Sequence, residues 1–284
     1  MEKISMIVSV YNRLSYLRNV IFCLLDQTKN IDELVIADDG SYENILDYIK
    51  DLIPFCSFKI KHVKQQDLGF RLARSRNNAA RVSEGDFLIF IDQDIIFPNN
   101  FVERLYNNRG EKILVSSRAI ISTLEESKQV FNLIRKGFNY SQIYLFFQKD
   151  RKGISKAIRK DKINTFLFKC KLRKRGAKIA GLIFALYKSD FVAINGFDEE
   201  YIGWGEEDDD FCNRFYKYTG SVRVTTFKEY SVHLYHNFDD SKRKSLNREY
   251  YLKRKKEITK NNYKSTYGYA HSLGEDKYEL EVLK

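Results

Sequence analysis

Two aspartates separated by one residue, Asp92 and Asp94, directly follow the apolar run Phe87–Ile91. An uninterrupted apolar run of this length predicts a strand buried on both faces, so the two carboxylates would stand in the loop at its carboxyl end. Carboxylate oxygens in that position can hold a hard divalent cation, and such a cation binds a diphosphate. Because aspartate is also a common turn residue, the position after a buried strand supports this interpretation more than the spacing does.

A second acidic turn, Asp38-Asp39-Gly40-Ser41, follows the apolar run Glu33–Ala37. Its carboxylates could accept hydrogen bonds from a nucleobase or from sugar hydroxyls, and Gly40 permits a tight turn. The same residues also fit the start of a helix, with Ser41 capping a helix that begins near Glu43. The two roles are compatible.

Three arginines, Arg71, Arg74 and Arg76, lie near the start of a helix predicted over Leu72–Val82. Positive charge at that end does not stabilise a helix, because the helix dipole favours anions there. The arginines are therefore either exposed on the surface or turned towards an anionic group such as a phosphate.

Residues 195–211 form the most distinctive run, with eight carboxylates and the only tryptophan of the chain, Trp204, between two glycines. Acidic residues favour the start of a helix, and we interpret Asp209 and Asp210 as helix-start charges. That role does not explain the Gly-Trp-Gly sequence before them. An aromatic ring between flexible glycines and beside a carboxylate can stack a sugar ring and place its hydroxyl against a general base.

Two histidines, His233 and His236, follow a strand predicted at Ser221–Thr226. Imidazoles three residues apart can ligate a metal, although a pair of histidines is more often structural. The four cysteines are scattered without CxxC spacing, which indicates small buried residues and not a zinc or redox site.

The elements that must position these residues alternate between strands and helices. Because strands buried on both faces read as continuous apolar runs, the pattern predicts an α/β fold with a doubly wound, Rossmann-like, mostly parallel sheet. Ligands of such sheets bind beyond the carboxyl ends of the strands, where the acidic turns and Tyr11–Arg13 lie. Strands are predicted at Ile4–Val10, Glu33–Ala37, Ser57–Val63, Phe87–Ile91 and Ile113–Ser117, and helices at Tyr16–Asp26, Glu43–Leu52, Leu72–Val82 and Pro98–Tyr106.

Positive charge is concentrated in one segment. Residues 135–178 contain 15 Lys and Arg against two Asp, whereas the whole chain has 49 Lys and Arg against 38 Asp and Glu. The rest of the chain is therefore slightly acidic, which argues against a nucleic-acid-binding protein. Apolar residues interleave with the cations of this segment. It fits an amphipathic surface on anionic lipid headgroups, and it fits equally well a solvated basic helix pair that packs its aromatic side chains inward.

Composition excludes several other classes of protein. The chain is 43% hydrophobic with 21 Phe and 19 Tyr, which is too apolar for a disordered polypeptide. No run approaches the ~18 apolar residues of a membrane span. The first residues, Met-Glu-Lys, pass directly into a predicted strand without the features of a signal peptide, so we expect a cytoplasmic protein.

Taken in order, the motifs resemble glycosyltransferase family 2, in the branch whose carboxyl half is similar to the β-1,4-galactosyltransferases. They span about four fifths of the chain. The resemblance implies a GT-A fold, a nucleotide-diphosphate sugar donor, Mn2+ or Mg2+ as cofactor, and inversion at the anomeric carbon. The motifs are Ile-Val-Ser-Val-Tyr-Asn-Arg, Asp-Asp-Gly-Ser, Gly-Phe-Arg-x-Ala-Arg-x-Arg-Asn, Asp-Gln-Asp, Asn-Gly-Phe-Asp-Glu-x-Tyr-x-Gly-Trp-Gly-x-Glu-Asp-Asp-Asp and His-Leu-x-His.

The same resemblance assigns roles to individual residues. Asp208 would be the catalytic base, with Glu207 contacting a sugar hydroxyl. Asp94, His236 and His233 would ligate the metal. Donor binding would involve Val10, Tyr11, Asn12, Arg13, Asp38, Asp39, Arg71, Arg76, Asp92, Gly181 and Trp204. Glu206 stands where galactosyltransferases have a second glycine, so the sugar pocket is expected to differ and a galactose donor does not follow.

The expected organisation is a GT-A domain over residues 1–240 and a basic C-terminal extension over 241–284. The domain would comprise a nucleotide-sugar-binding half at 1–110, a basic insertion at 135–178 and an acceptor-side catalytic half at 179–240. The extension would form a helix followed by a loosely held tail.

The expected function is metal-dependent transfer of a sugar to a carbohydrate or lipid-linked glycan in bacterial capsule or lipopolysaccharide synthesis. The resemblance implies a UDP-linked donor. The reaction would take place in the cytoplasm or peripherally on the inner face of the plasma membrane. One alternative, a sugar nucleotidyltransferase, would need a Gly-rich basic loop where Tyr11–Arg13 stands. Another, a non-enzymatic basic membrane or nucleic-acid adaptor, accounts for residues 135–178 but leaves Asp92, Asp94 and the acidic run unexplained.

Overall fold

Apolar β-branched runs and amphipathic stretches alternate along the chain and form one α/β fold in the computed structural model. The structure describes residues 2–173, 175–179, 183–218, 221–237, 245–275 and 277–284. Within them the strands are β1 Ile4–Val10, β2 Glu33–Asp38, β3 Lys59–Gln65, β4 Phe87–Asp92, β5 Ile95–Ile96, β6 Leu114–Ser116, β7 Ala119–Ile121, β8 Ile183–Tyr187, β9 Val222–Val224, β10 Ser231–His233 and β11 Tyr278–Val282. The α-helices are α1 Ser15–Leu25, α2 Leu46–Ile49, α3 Leu72–Val82, α4 Phe101–Asn107, α5 Leu124–Arg135, α6 Tyr140–Tyr144, α7 Arg151–Lys169, α8 Lys188–Ala193, α9 Glu207–Tyr218 and α10 Arg248–Glu257.

The central sheet has the strand order β11-β3-β2-β1-β4-β8-β6-β9. Strands β3, β2, β1 and β4 are parallel, as the β-α alternation predicts, whereas β8 is antiparallel to both of its neighbours. The sheet is therefore mixed. Val10 pairs with Asp38, and Ser9 pairs with Asp92, so the carboxyl ends of β1, β2 and β4 meet at one edge. This register brings the turns that follow these strands together.

A second, three-stranded sheet in the order β5-β10-β7 stands next to that edge. Strand β5 begins immediately after Asp94 and pairs antiparallel with β10, which ends at His233. His233 pairs with Ile95 in this register, and the backbone N–H of Leu234 donates to the carbonyl of Asp94 at 2.8 Å. The small sheet thus brings the histidines beside the Asp-x-Asp loop.

The core lies on both faces of the central sheet. Met6 and Val8 of β1 face one apolar cluster, whereas Ile7 faces the other, as the period-2 geometry of a strand requires. In the second cluster the rings of Phe197 and Phe211 stack with centroids 4.4 Å apart. Burying a phenylalanine side chain contributes about 1.5–3 kcal/mol, so this packing fixes the start of α9.

The predicted helix Glu43–Leu52 is shorter in the structure, and Ser41 does not cap it. The Ser41 hydroxyl instead donates to Asp38 at 2.7 Å and accepts from the backbone N–H of Asn12 at 2.8 Å. The carboxylate of Glu43 accepts from the backbone N–H groups of Arg13 and Leu14 at 2.8 and 2.9 Å. These side chains bind the turn after β2 to the turn after β1 and are not available to start a helix.

The C-terminal extension is partly as predicted. Its helix is confirmed as α10, but the prediction of a loosely held tail is wrong for residues 277–284. Strand β11 pairs antiparallel with β3, from Tyr278 opposite Gln65 to Val282 opposite Lys61. A polar sequence can join a sheet as an edge strand because only its backbone needs to pair.

The basic segment shows features of both expected arrangements. Ile154 and Ile158 of α7 are buried, whereas Phe146 and Phe166 expose half or more of their surface. Among the described residues, no helix is both long enough and apolar enough to cross a membrane.

Candidate active site

Asp94, His233 and His236 face one common point. Nε2 of His233 lies 3.4 Å from Oδ1 of Asp94, and Nε2 of His236 lies 3.3 Å from Oδ2. These separations exceed the usual length of a hydrogen bond, ~2.7–3.2 Å, and within the described part of the chain the buried Oδ1 atom of Asp94 has no well-aligned hydrogen-bond partner. The three ligand atoms lie within 4.8 Å of one another. One carboxylate and two imidazoles that converge in this way could hold a metal ion.

The protonation of His236 also suits a ligand. Its Nδ1 atom lies 3.1 Å from the carbonyl oxygen of Asn237, so the proton resides there and Nε2 keeps a lone pair directed towards Asp94. Burial lowers the pKa of His236, which favours the neutral imidazole. Burial also acts to lower the pKa of His233, but the Asp94 carboxylate outweighs it and raises that pKa.

Arg76 on α3 joins two distant parts of the site. Its side chain is 1% exposed and donates to Asp92 from Nη2 and to Asp208 from Nη1, both at 3.0 Å. Its Nε donates to the Ser9 hydroxyl at 3.2 Å. Burial alone would lower the pKa of Arg76, but the two carboxylates raise it, so the guanidinium stays charged. Arg76 thereby binds the carboxyl end of β4, at Asp92, to the start of α9, at Asp208.

Asp208 presents an accessible carboxylate oxygen beside Arg76. A quarter of its side-chain surface is accessible, and only Oδ1 is engaged by Arg76, which leaves Oδ2 without a hydrogen bond among the described residues. Burial raises the pKa of Asp208 and Arg76 opposes this rise. A carboxylate with a raised pKa is a stronger base than a free aspartate.

Glu207 differs from its neighbour in protonation. Its side chain is buried, and no residue that the structure describes forms a hydrogen bond with Oε2. Burial first, and then the charge of Asp208, raise the pKa of Glu207 from the ordinary 4.5 to about 8. At neutral pH Glu207 is therefore mostly protonated and can donate a hydrogen bond.

The next two carboxylates hold the fold. Asp209 forms ion pairs with Lys178 at 2.5 Å and with Arg175 at 3.6 Å. Asp210 is completely buried and accepts from Nε of Arg214 at 2.6 Å. The interpretation of Asp210 as a mere helix-start charge is therefore wrong, because breaking a buried pair of this kind costs about 3–5 kcal/mol.

The two turns at the end of β1 and β2 form the other side of the site. Asn12 and Arg13 adopt left-handed backbone conformations, with φ of +50° and +53°. Gly40 has φ +96°, and a Cβ atom there would lie 2.6 Å from the backbone of Asp67, so only glycine fits. Asp39 accepts hydrogen bonds from the backbone N–H of Arg71 at 2.8 Å and from Gln65 Nε2 at 2.5 Å. Burial raises the pKa of Asp39 to about 7.

A cavity of about 800 Å³ lies between these turns and the acidic segment. Trp204 lines it, with 42% of its surface exposed. The Trp204 loop is held from two directions, because Gly203 N–H donates to the carbonyl of Phe70 at 2.8 Å and Asn247 Nδ2 donates to the carbonyl of Gly205 at 2.9 Å. The other predicted donor or metal residues that line the cavity are Tyr11, Asn12, Arg13, Asp39 and His236.

Several predicted donor residues occupy other positions. Asp38 is buried, with Oδ1 accepting from Ser41 and Oδ2 lying 2.9 Å from Nε2 of His62, so its carboxylate supports the turn. Val10 is a core residue whose carbonyl accepts from the N–H of Asp39. Arg71 directs Nη2 to the carbonyl of Gln66 at 2.6 Å. Gly181 lies outside the described residues.

Four contributors were missed by sequence reasoning. Glu43 and Ser9 act through hydrogen bonds to residues that are distant in sequence, which no local pattern reveals. Leu246 lines the cavity and Asn247 binds the Trp204 loop, although both lie in an extension without a recognisable motif.

Comparison with known proteins identifies the family and the fold. The sequence model of the family described as "Glycosyl transferase family 2" matches residues 5–177, and that described as "N-terminal domain of galactosyltransferase" matches residues 162–237. The chain is 26% identical to chondroitin synthase of Escherichia coli over 228 residues, which is 76% of the chain and 32% of that protein. It is 24% identical to validoxylamine A glucosyltransferase of Streptomyces hygroscopicus subsp. jinggangensis, over 72% of the chain and 49% of that protein. The chain thus spans a third to a half of the length of these two relatives.

Solved structures show the same fold. TarS of S. aureus, residues 1–349 in complex with UDP-GlcNAc, superposes with a TM-score of 0.56 at 15% identity, over 89% of this chain and 64% of that one. The GT-A fold is therefore confirmed. Since the family match covers more than half of the chain, this protein belongs to glycosyltransferase family 2 and is a glycosyltransferase.

Proposed function

We propose that the chain is an inverting, metal-dependent enzyme that moves a sugar from a UDP-linked donor to a hydroxyl group of a carbohydrate acceptor. The Arg76 bridge supports this most directly. It binds Asp92, at the start of the Asp92–Asp94 loop, to Asp208, at the start of α9, and His236 and Trp204 line one cavity. The candidate metal ligands and the proposed general base would thus act on one bound donor and acceptor.

The residues of the cluster fit a divalent cation. Asp94, His233 and His236 offer one carboxylate and two imidazoles, and among the described residues the buried Asp94 Oδ1 lacks a well-aligned hydrogen-bond partner. Mg2+ prefers oxygen ligands, so of the two cofactors expected from the resemblance this donor set favours Mn2+ over Mg2+. When bound, such a cation stabilises the negative charge that grows on the departing diphosphate.

The remaining residues act on the sugar and the acceptor. Oδ2 of Asp208 would accept the proton of the acceptor hydroxyl, and protonated Glu207 would donate a hydrogen bond to a sugar hydroxyl. Trp204 would stack against a sugar ring. The turn Tyr11–Arg13 and Asp39 would bind the nucleotide, since they line the same cavity.

Relatives support the substrate classes. The S. aureus neighbour was solved with UDP-GlcNAc, which supports a UDP-linked donor. Relatives named chondroitin synthase and hyaluronan synthase support a carbohydrate acceptor. We extend this to a free or lipid-linked glycan of a bacterial capsule or lipopolysaccharide, built in the cytoplasm or at the inner face of the plasma membrane.

Hydrolysis of nucleotide sugars in the absence of acceptor tests the proposal. UDP-, GDP-, CMP- and dTDP-sugars would be compared with Mn2+ and with excess EDTA. We expect turnover of a UDP-sugar that EDTA removes, and loss of most turnover in Asp94→Ala with unchanged thermal stability, because Asp94 contributes no apolar packing. Asp47→Ala, which removes an exposed carboxylate on α2, is the matched control.

Full turnover in EDTA, or in Asp94→Ala, would exclude the metal mechanism. Turnover of another nucleotide sugar, with none of any UDP-sugar, would exclude the proposed donor.

A further inference from the structure

The outward face of α7 combines apolar and basic side chains. Ile163 and Phe166 are 48% and 64% exposed, whereas Ile154 and Ile158 on the opposite face are buried. Exposed cations surround the two apolar residues at helical spacing. Together they form the α7 patch, which comprises Lys156, Arg159, Lys162, Ile163, Phe166 and Lys169.

The chain after α7 extends this character. Lys171 has φ +61°, and the N–H of Leu172 donates to the carbonyl of Leu167 at 2.9 Å, so the chain turns back over the end of the helix. Leu172 is nevertheless 73% exposed and lies between two exposed cations, Lys171 and Arg173. A third large apolar side chain is thus presented to solvent among positive charges.

No carboxylate of α7 offsets these charges at the surface. Asp161 is the only acidic residue between 151 and 173, and it is buried. Both of its oxygens are engaged by Arg118, at 2.5 and 3.0 Å. The charged side chains of the outward face are therefore all cations, and a surface of this charge complements an anionic partner.

The apolar residues decide what kind of anionic surface fits. A soluble polyanion needs cations only and gains little from exposed isoleucine or leucine. An anionic bilayer offers headgroups to the cations and an acyl boundary to the apolar side chains, and helices of this composition lie in that interface. We propose that the α7 patch is a docking surface for an anionic phospholipid bilayer. The inference does not depend on the function proposed for the active site.

Sedimentation of the full chain with vesicles tests the proposal. Phosphatidylcholine vesicles with and without phosphatidylglycerol would be compared at low and high salt. We expect binding only to the anionic vesicles, with loss at high salt. The triple variant Lys156→Gln, Arg159→Gln, Lys162→Gln should bind ~100-fold more weakly, because each cation near the surface contributes roughly a fivefold factor.

A matched variant separates this patch from overall charge. Lys253→Gln, Lys256→Gln, Lys260→Gln removes three exposed lysines in and after α10 and should leave vesicle binding unchanged. An equal loss in both triple variants would show attraction by net charge alone and would overturn the proposal. Absence of binding to anionic vesicles at low salt would do so as well.

A spectroscopic measurement tests the apolar contribution. Cys170 is exposed beside the patch, whereas Cys23, Cys56 and Cys212 are buried, so a polarity-sensitive fluorophore can be attached there. Anionic vesicles should shift its emission towards that of an apolar environment, and Phe166→Gln should weaken both the shift and the binding. Tight binding to soluble polyglutamate without a shift on vesicles would indicate a polyanion partner and exclude the bilayer.

Discussion

Arg76 sets the geometry of the active site through three groups at once. The buried guanidinium contacts Ser9, Asp92 and Asp208, which belong to β1, the end of β4 and α9. A lysine could not replace it. The guanidinium presents its donors in a fixed planar fork that contacts both carboxylates, whereas a lysine has a single ammonium group. The helix dipole left surface exposure and an anionic partner open for the three arginines; all three are buried, and Arg74 and Arg76 have carboxylate partners. The partners of Arg76 within the chain are carboxylates. The sequence does not show this, because α3 and α9 come together only in the folded chain.

The role of Asp208 leads to a prediction about catalysis. Asp208→Asn keeps the size of the side chain and an oxygen that can accept from Arg76, but it cannot take up a proton. Transfer should fall by ~10²-fold or more, the usual contribution of a general base. UDP affinity, measured by calorimetry, should be unchanged, because the residues proposed to bind the nucleotide lie on the other side of the cavity.

Asp209→Asn is the control for this variant. Asp209 pairs with Lys178 and Arg175 at the surface, so its loss should affect transfer only slightly. Asp210→Asn is unsuitable, because it breaks the buried pair with Arg214 and should destabilise the fold by ~3 kcal/mol or more. Equal loss of transfer in Asp208→Asn and Asp209→Asn, at equal stability, would exclude Asp208 as the base.

Glu207 leads to a prediction about the pH dependence of stability. An acid whose pKa is raised by folding stabilises the native state fully below its ordinary pKa, and this contribution is lost as pH rises through the folded value. For Glu207 the window runs from 4.5 to about 8. Glu207→Gln resembles the protonated form at every pH. The variant should therefore gain at least ~1 kcal/mol in unfolding free energy relative to the wild type between pH 5 and pH 8.

Denaturant unfolding at several pH values measures this difference. Glu249→Gln, at an exposed position in the first turn of α10, is the control and should follow the wild type. If the difference in unfolding free energy between the wild type and Glu207→Gln stayed constant across the window, Glu207 would have its ordinary pKa in the folded state.

At the scale of the elements, the long apolar strands of the central sheet were predictable, whereas the short strands of the second sheet were not. Strands β1, β2 and β4 lie within one residue of their predicted bounds, because seven or five buried residues give a clear pattern. Strands β5, β7 and β10 have only two or three residues each, which is too few for any periodicity to show. These short strands bring His233 to Asp94. Residue spacing alone therefore did not decide whether the histidines ligate a metal. Only the family resemblance assigned them that role.

The loop that carries Trp204 leads to a prediction about an element. Asn247, just before α10, is buried and donates to the carbonyls of Gly203 and Gly205. Asn247→Ala removes both hydrogen bonds, so the Trp204 ring should be less well positioned. We expect a higher KM for the acceptor and a kcat that changes less, while UDP affinity stays the same.

Conservative and neighbouring variants separate positioning from general instability. Asn247→Gln retains the amide and should recover part of the acceptor affinity, and the tryptophan fluorescence of Asn247→Ala should show greater accessibility to a soluble quencher. Arg248→Gln, which loses an ion pair with Glu206 and a cation–π contact with Tyr251 but leaves Asn247 in place, is the control. An unchanged KM for the acceptor in Asn247→Ala would exclude this role.

At the scale of the whole molecule, the C-terminal extension is integrated into the fold on both sides. Asn195, in the turn before the acidic run, donates to the carbonyl of Ser265 at 2.9 Å and accepts from the N–H of Ala270 at 2.7 Å. At the far edge of the sheet, β11 pairs with β3, and β3 pairs with β2. Strand β2 ends at Asp38, directly before Asp39. Residues without any recognisable motif thus support both the side proposed to bind the acceptor and the side proposed to bind the donor.

Removal of residues 277–284 tests this integration. The truncation exposes the edge of β3 and removes a five-residue antiparallel pairing together with the hydrogen bond from the Lys284 ammonium to the carbonyl of Ile53 at 2.9 Å. Most side chains of β11 are exposed, so the loss is mainly of backbone hydrogen bonds and should be roughly 2 kcal/mol, which corresponds to a fall in Tm of ~4–8 °C. Glu279→Gln, which changes one exposed charge of β11 and keeps the pairing, should melt like the wild type. Aggregation should also rise in the truncated chain, because an uncovered edge strand can pair with a second copy. An unchanged Tm would show that β11 does not stabilise the sheet and would restore the loosely held tail.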